Sequence, residues 1–188
     1  VSFHSHIEKR YNILTQSHLY NQSVAGIKQL IQLSNESDNK VILNIVLNQL
    51  NYQNIDSYLI FLKEHFFLKK PVHVNISILS QVEKYPYYNK LLFKYSEIID
   101  RINWVKKDIE GFITISSTFW WECDMPYCIW SRLFFFDKNT LETSDFSSFN
   151  NRIKNKECDI CSYNNHCKWL SKNYNTIFWS EELKAIIY

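Results

Sequence analysis

Val41-Ile42-Leu43-Asn44-Ile45-Val46-Leu47 is the stretch on which the fold turns. β-branched and aliphatic residues crowd it and only Asn44 interrupts them, the pattern of a buried strand. Upstream, Val24, Ile27, Leu30 and Ile31 recur at helical spacing behind Ser23, a capping residue type, so a helix is expected from Val24 to about Ser34. Downstream, Asn54 or Asp56 opens a second helix that runs to about Phe66, with Ile55, Leu59, Leu62 and Phe66 inward. Pro71 introduces a further strand, Val72–Leu79. Pro86 stands before a third helix, from about Tyr87 to Lys106, whose inward stripe includes Leu92, Tyr95, Ile98, Ile99, Ile102 and Val105. Phe112–Ser116 ends the series as a strand and Val1–His4 begins it as one, with a polar loop over residues 5–20.

Strands that alternate with helices in this way imply parallel crossovers. The strand runs read as apolar at both parities, which predicts a sheet covered on both faces. Four such strands are half of an eight-stranded barrel. The expected fold class is therefore α/β, a partial (βα) barrel of parallel strands with a small Cys-rich C-terminal extension. The alternation stops after Trp121, which divides the chain into residues 1–121 and residues 122–188. In the second part Ile129–Phe136 reads as strand-like, and a short helix is expected from Cys167 to Tyr174.

Composition narrows the classes. A chain of 188 residues is one domain, or one with a small appendage. With 46% hydrophobic and 21% charged residues it can bury a core, which excludes a disordered protein. The net charge of +2 includes no basic block, so neither nucleic acid nor a membrane surface is implied as a partner. Only 2 glycines occur, which excludes a Walker loop and a G-x-G-x-x-G fingerprint. No apolar run reaches the ~18–20 residues of a membrane span, and no secretion signal opens the chain, so a cytoplasmic protein is expected. The first residue is Val1, inside what reads as a strand, which suggests a piece of something longer.

Five cysteines fall at 123, 128, 158, 161 and 167. An odd number without a secretion signal disfavours a disulfide framework. Cys158-x-x-Cys161 bends the chain so that two thiolates converge, Cys167 follows after five residues, and Cys128 is the best placed fourth ligand. Four thiolates suit either a tetrahedral Zn²⁺ or a [4Fe–4S] cube; spacing alone leans to zinc as the commoner structural use. His166 reads as a neighbour of the site, with a ligand role as the alternative. Cys123 reads as a small buried hydrophobe, with an alternate ligand role as the sharper option.

Three segments carry a resemblance. Val1-Ser-Phe-His-Ser-His, followed by Tyr11-Asn-x-Leu-Thr15 and Ser23-x-x-Gly26-Ile27-x-x-Leu30, resembles V-S-L-H-G-H … H-D-x-I-T … G-I-x-x-L. Val41-Ile-Leu-Asn44-Ile-Val-Leu-Asn48 through Asn51-Tyr52 is similar to V-x-L-N-x-V-I-x-x-x-N-Y. Met125-Pro-Tyr-Cys128, then Cys158-x-x-Cys161-x5-Cys167 and Tyr174, is similar to a P-x-C … C-x-x-C-x5-C tail. In this order they resemble the C-terminal part of a radical SAM enzyme with an auxiliary-cluster tail of the SPASM or twitch type.

The resemblance implies an enzyme that uses S-adenosylmethionine and an auxiliary [4Fe–4S] cluster on Cys128, Cys158, Cys161 and Cys167. It implies a peptide or other small-molecule substrate modified by radical chemistry, and an electron donor protein as partner. Ser2 and Asn44 match positions that face S-adenosylmethionine, and both are expected at the C-terminal edge of neighbouring strands. Each has a plainer reading: Ser2 as a strand-end hydroxyl, Asn44 as a buried amide that satisfies nearby backbone. His4 and His6 either line the substrate cavity or are loop histidines. The family's C-x3-C-x2-C loop is not within these residues, so the chain is expected to be inactive alone. The alternative function is a non-catalytic zinc-binding α/β interaction module with four cysteine ligands.

Overall fold

The computed structural model describes residues 1–78, 90–116, 126–130, 132, 152–164, 167, 170–178 and 182. Three strands, β1 (Ile42–Leu47), β2 (Val72–Ile78) and β3 (Ile113–Ser116), form an open parallel sheet in the order β1-β2-β3. The register sets Ile42 opposite His73 and Leu47 opposite Ile78, and Val72 opposite Ile113. The first residues of the chain extend the sheet beyond β1: Ser2 bridges to Asn44 in parallel, and Phe3 N donates to Asn44 O at 2.9 Å. No antiparallel pair occurs among these four segments.

Helices α1 (Glu8–Thr15) and α2 (Tyr20–Asn35) connect the N-terminal segment to β1. Helix α3 (Ile55–Phe66), after a turn of 3-10 helix at Tyr52–Asn54, connects β1 to β2. Helices α4 (Tyr95–Trp104) and α5 (Lys106–Ile109) precede β3. One parity of every strand faces the helices. Leu43, Ile45, Leu47, Val74, Ile76 and Ile78 are buried, and α3 meets them with Ile55, Tyr58, Leu59, Leu62 and Phe66. Burial of one such side chain contributes about 1.5–3 kcal/mol, so this face alone accounts for much of the driving force. Phe3 is fully buried within a ring of aromatics, with centroids of Tyr11, Tyr58 and Phe66 at 5.6, 5.9 and 6.0 Å.

Several expectations need correction. The segment read as a polar loop contains α1, whose single buried residue, Tyr11, leaves no helical period to read. Ser23 does not cap α2; it lies in the first turn, and its Oγ shares a hydrogen bond with Tyr11 Oη at 2.7 Å. The sheet is not apolar at both parities, because β2 alternates Val72-His-Val-Asn-Ile-Ser-Ile78. The long helix expected from Tyr87 begins only at Tyr95 among the described residues and breaks at Val105. Residues 127–130, assigned in part to a strand, form one helical turn, α6 (Tyr127–Trp130), behind Pro126, a residue suited to a helix start.

The start of α4 has a cap that no local sequence rule reveals. Lys94, the residue before it, has no side-chain acceptor for the open N–H groups. Glu182 supplies one from far along the chain. Its carboxylate accepts from Tyr95 N at 3.2 Å and Ser96 N at 2.9 Å, and also from Ser96 Oγ and Tyr174 Oη. A carboxylate here also suits the positive end of the helix dipole. Tyr174, on α8 (Lys172–Phe178), stacks on Tyr95 at 4.1 Å and is completely buried, which pushes its hydroxyl pKa up. Residues of the second part thus share the core: Ile129 and Tyr174 belong to it, and Cys128, Ile153, Cys158 and Phe178 pack against it. Glu182→Ala is expected to destabilise the protein by about 1–2 kcal/mol, the worth of a cap with charge-assisted bonds, as read from a lower urea midpoint.

Candidate functional site

The parity of the sheet that faces away from the helices carries polar side chains beside the apolar Ile42 and Val46 of β1. Asn44 stands on β1; His73, Asn75 and Ser77 stand on β2; Thr114 stands on β3. Ser2 shares this face, because register partners in a parallel pair project their side chains to the same side. Ser2 and Asn44, the two expected cofactor contacts, are therefore brought together. Their position differs from expectation: Asn44 is the third residue of the six in β1, so the pair lies in the face of the sheet and not at its C-terminal edge.

A small hydrogen-bonded network occupies the centre of this face. Asn75 Nδ2 donates to Asn44 Oδ1 at 2.7 Å and to Ser77 Oγ at 3.3 Å, and Ser77 Oγ donates to Asn44 Oδ1 at 3.3 Å. Asn75 is 1% exposed, and its Oδ1 has no hydrogen-bond partner among the described residues. Sequence reasoning missed Asn75 and Ser77. The signal was the strict alternation of Val72 to Ile78, whose polar members all fall on one face.

The end of β1 is fixed by amides. Asn51, nearly buried, donates from Nδ2 to His4 O at 2.9 Å and Val46 O at 3.0 Å, and its Oδ1 accepts from Asn48 N at 2.8 Å. His4 Nδ1 accepts from Val46 N at 3.2 Å, which requires the imidazole to be unprotonated on that nitrogen. His4 is therefore a piece of the strand pairing. His6 packs its ring 5.5 Å from Phe61, and its buried Nδ1 has no hydrogen-bond partner among the described residues. Burial lowers the pKa of both histidines, and the nearby Arg10 adds to the effect at His6.

These lowered values set a pH dependence. In the unfolded chain a histidine binds its proton near pH 6.5, whereas in the folded state it does so only at lower pH. The unfolded state thus holds more protons between those limits, and stability present above about pH 6.5 is lost as pH falls below it. Urea midpoints should drop between pH 7.5 and 5.5, and His4→Asn, whose Oδ1 stands where Nδ1 does and can still accept from Val46 N, should flatten that drop.

Four of the five cysteines fall among the described residues, all as thiols. Cys158 lies in α7 (Lys156–Asp159), a single turn capped by Asn155, whose side chain accepts from Glu157 N at 2.9 Å and Cys158 N at 3.2 Å. Cys161 N donates to Cys158 O at 3.2 Å, so the C-x-x-C segment closes as one turn. Burial pushes the Cys158 thiol pKa up, and the neighbouring Cys161 adds to this; the backbone hydrogen bond from Asn155 and the charge of Lys154 oppose it. Cys128 lies on α6, and Cys167 is buried.

Among the described residues, no three His, Cys, Asp or Glu side chains are gathered into a group that could hold a metal ion. The donor chemistry fits a thiolate-bound metal or cluster, and the pair that the structure closes into one turn is Cys158 and Cys161. Cys123 and His166 lie outside the described residues. No described helix is long and apolar enough to cross a membrane. Compared with known proteins, the chain matches no family model, no curated protein and no solved structure.

Proposed function

We propose that the chain is the C-terminal part of a cytoplasmic radical SAM enzyme, in which the parallel sheet is a segment of a partial barrel and its polar face is the ligand side. The observation that carries this reading is the parallel pairing of Ser2 with Asn44 on that face. Both residues were singled out by the resemblance, and they come together although 42 positions apart in sequence, from 2 to 44.

In this reading the Ser2 hydroxyl and the Asn44 amide bind S-adenosylmethionine. Asn75 and Ser77 hold the Asn44 amide in one orientation by donating to its oxygen. Cys128, Cys158, Cys161 and Cys167 hold an auxiliary [4Fe–4S] cluster, which supplies an electron-transfer or substrate-binding centre when bound. The substrate is a peptide or another small molecule, and an electron donor protein completes the system. The C-x3-C-x2-C loop that cleavage of S-adenosylmethionine requires is not in this sequence, so the chain binds and positions without cleaving.

The absence of that loop also favours a second reading, a zinc-binding interaction module that uses the same four thiolates. Metal chemistry separates the two. Anaerobic reconstitution with iron and sulfide is expected to give a broad absorbance near roughly 400 nm, as thiolate-held clusters do. Cys158→Ser should abolish it and loosen the second part of the chain. Stoichiometric zinc with no such absorbance selects the interaction module. Independently, Asn44→Ala should weaken S-adenosylmethionine binding by about tenfold in calorimetry, the loss of roughly one good hydrogen bond; unchanged affinity removes Asn44 from the site.

A further inference from the structure

We propose that Cys158 and Cys161 are a redox pair that closes into an intramolecular disulfide, and that closure withdraws both thiolates from metal. The disulfide itself is independent of any metal. Only its consequence, a site that loads in the reduced state and not in the oxidised one, rests on the reading of these cysteines as ligands.

The backbone is already set for this bond. Asn155 caps α7 by accepting from Glu157 N and Cys158 N, which fixes the start of the turn. Asp159 is the last helical residue, Ile160 follows at φ −98° and ψ 1°, and Cys161 N donates to Cys158 O at 3.2 Å. This is type I turn geometry with the two cysteines at its first and last positions. The ends of such a turn lie within about 7 Å of each other, Cα to Cα, and disulfide-bridged cysteines stand about 4.4–6.8 Å apart. The Cys161 thiol is also near enough to act electrostatically on that of Cys158. Closure therefore asks for side-chain rotation and no rearrangement of the fold.

Among the described residues the pair stands apart from the other cysteines. No third His, Cys, Asp or Glu joins Cys158 and Cys161 in a metal-holding group, although Cys128 and Cys167 are both described. Cys167 is buried. Cys158 and Cys161 are half-buried, on a turn whose Asp159, Ile160 and Ser162 are exposed, so a small oxidant reaches them from solvent. In a cytoplasmic protein such a disulfide is transient and redox-sensing, not a structural staple.

The step balances as thiol–disulfide exchange with a low-molecular-weight disulfide, of which glutathione disulfide is the probe. One cysteine, as thiolate, attacks a sulfur of the small disulfide; that S–S bond breaks, a mixed disulfide forms and one small thiol leaves. The second cysteine, as thiolate, attacks the protein's sulfur in the mixed disulfide, forms the Cys158–Cys161 bond and expels the other small thiol. The pair gives up two electrons to the oxidant, and its two protons leave with the released thiols. The turn holds the second sulfur beside the first, so closure outruns accumulation of the mixed disulfide.

The test uses the full 188-residue chain, stripped of metal, reduced, and equilibrated with glutathione and glutathione disulfide in varied ratio. Acid-quenched mass spectrometry should show a loss of about 2 Da, and peptide mapping should place the link between Cys158 and Cys161. The equilibrium constant for closure should be at least about tenfold larger in the folded chain than in urea, because the turn is ordered before the bond forms. That comparison uses the parent chain and needs no variant to fold. Cys128→Ser and Cys167→Ser should keep the link, and Cys161→Ser should replace it with a mixed disulfide on Cys158. The oxidised protein should take up no zinc and form no cluster with iron and sulfide, and dithiothreitol should restore what the reduced protein binds.

A link that includes Cys128 or Cys167, a mixed disulfide that persists on the parent chain, or equal closure in the folded and unfolded chain overturns the proposal. Metal bound equally by the reduced and oxidised protein overturns the gating. If metal binds and no disulfide forms, this proposal alone falls; if the disulfide forms and the reduced protein binds no metal, the ligand reading falls and the redox pair stands.

Discussion

Phe3 holds the N-terminal segment against the sheet, and the polar face depends on it. Its ring is fully buried among Tyr11, Tyr58 and Phe66, its N–H donates to Asn44 O, and its carbonyl accepts from Tyr58 Oη at 2.8 Å. A strand paired only at its outer edge has few bonds of its own. The buried ring makes the pairing persist, and alternation then turns Ser2 and His4 outward on either side of it. Asn51 fastens the far end of the same segment by bonding both His4 O and Val46 O. The hydrophobic face and the polar face are therefore one arrangement: the side chain that the core takes from residue 3 delivers residues 2 and 4 to the other side.

The parts of the fold that were legible in the sequence are those where burial imposes a period. Leu43, Ile45 and Leu47 follow a period of two. Ile55, Leu59, Leu62 and Phe66, and Ile98, Ile99 and Ile102, follow helical spacing, and all of these positions are buried. Parallel pairing followed from the alternation of those elements. Helix α1 was not legible because Tyr11 is the only one of its residues in the core. The start of α4 was not legible because its cap is contributed by a residue 86 or 87 positions away, and no local rule reaches that far. In β2 the alternation was present in the letters themselves. The reading that both faces are apolar gave weight to the valines and isoleucines and passed over His73, Asn75 and Ser77.

The candidate site divides in the same way. Residue type and spacing single out Cys158 and Cys161 as a pair, because a two-residue gap closes as a local turn, and the hydrogen bond from Cys161 N to Cys158 O is that turn. Spacing does not encode the tertiary packing that places Cys128 and Cys167, and among the described residues no three such side chains are gathered. Asn44 stood out in sequence because it interrupts an apolar run. Its partners did not, since the bond from Asn75 crosses 31 residues of chain and exists only once β1 and β2 are in register.

The Glu182 clamp has a consequence for the order in which the protein is made. Residues that build β1, α3 and β2 can meet as soon as they emerge, since their contacts lie within one crossover. The first turn of α4 cannot be completed then, because its acceptor lies 87 residues beyond Tyr95. At ribosomal rates of roughly 5–20 residues per second, that interval lasts about 4–17 s. Throughout it the backbone donors of Tyr95 and Ser96 lack their carboxylate and the Tyr95 ring lacks Tyr174, so a nascent chain carries an aromatic surface that chaperones can recognise until translation has passed residue 182.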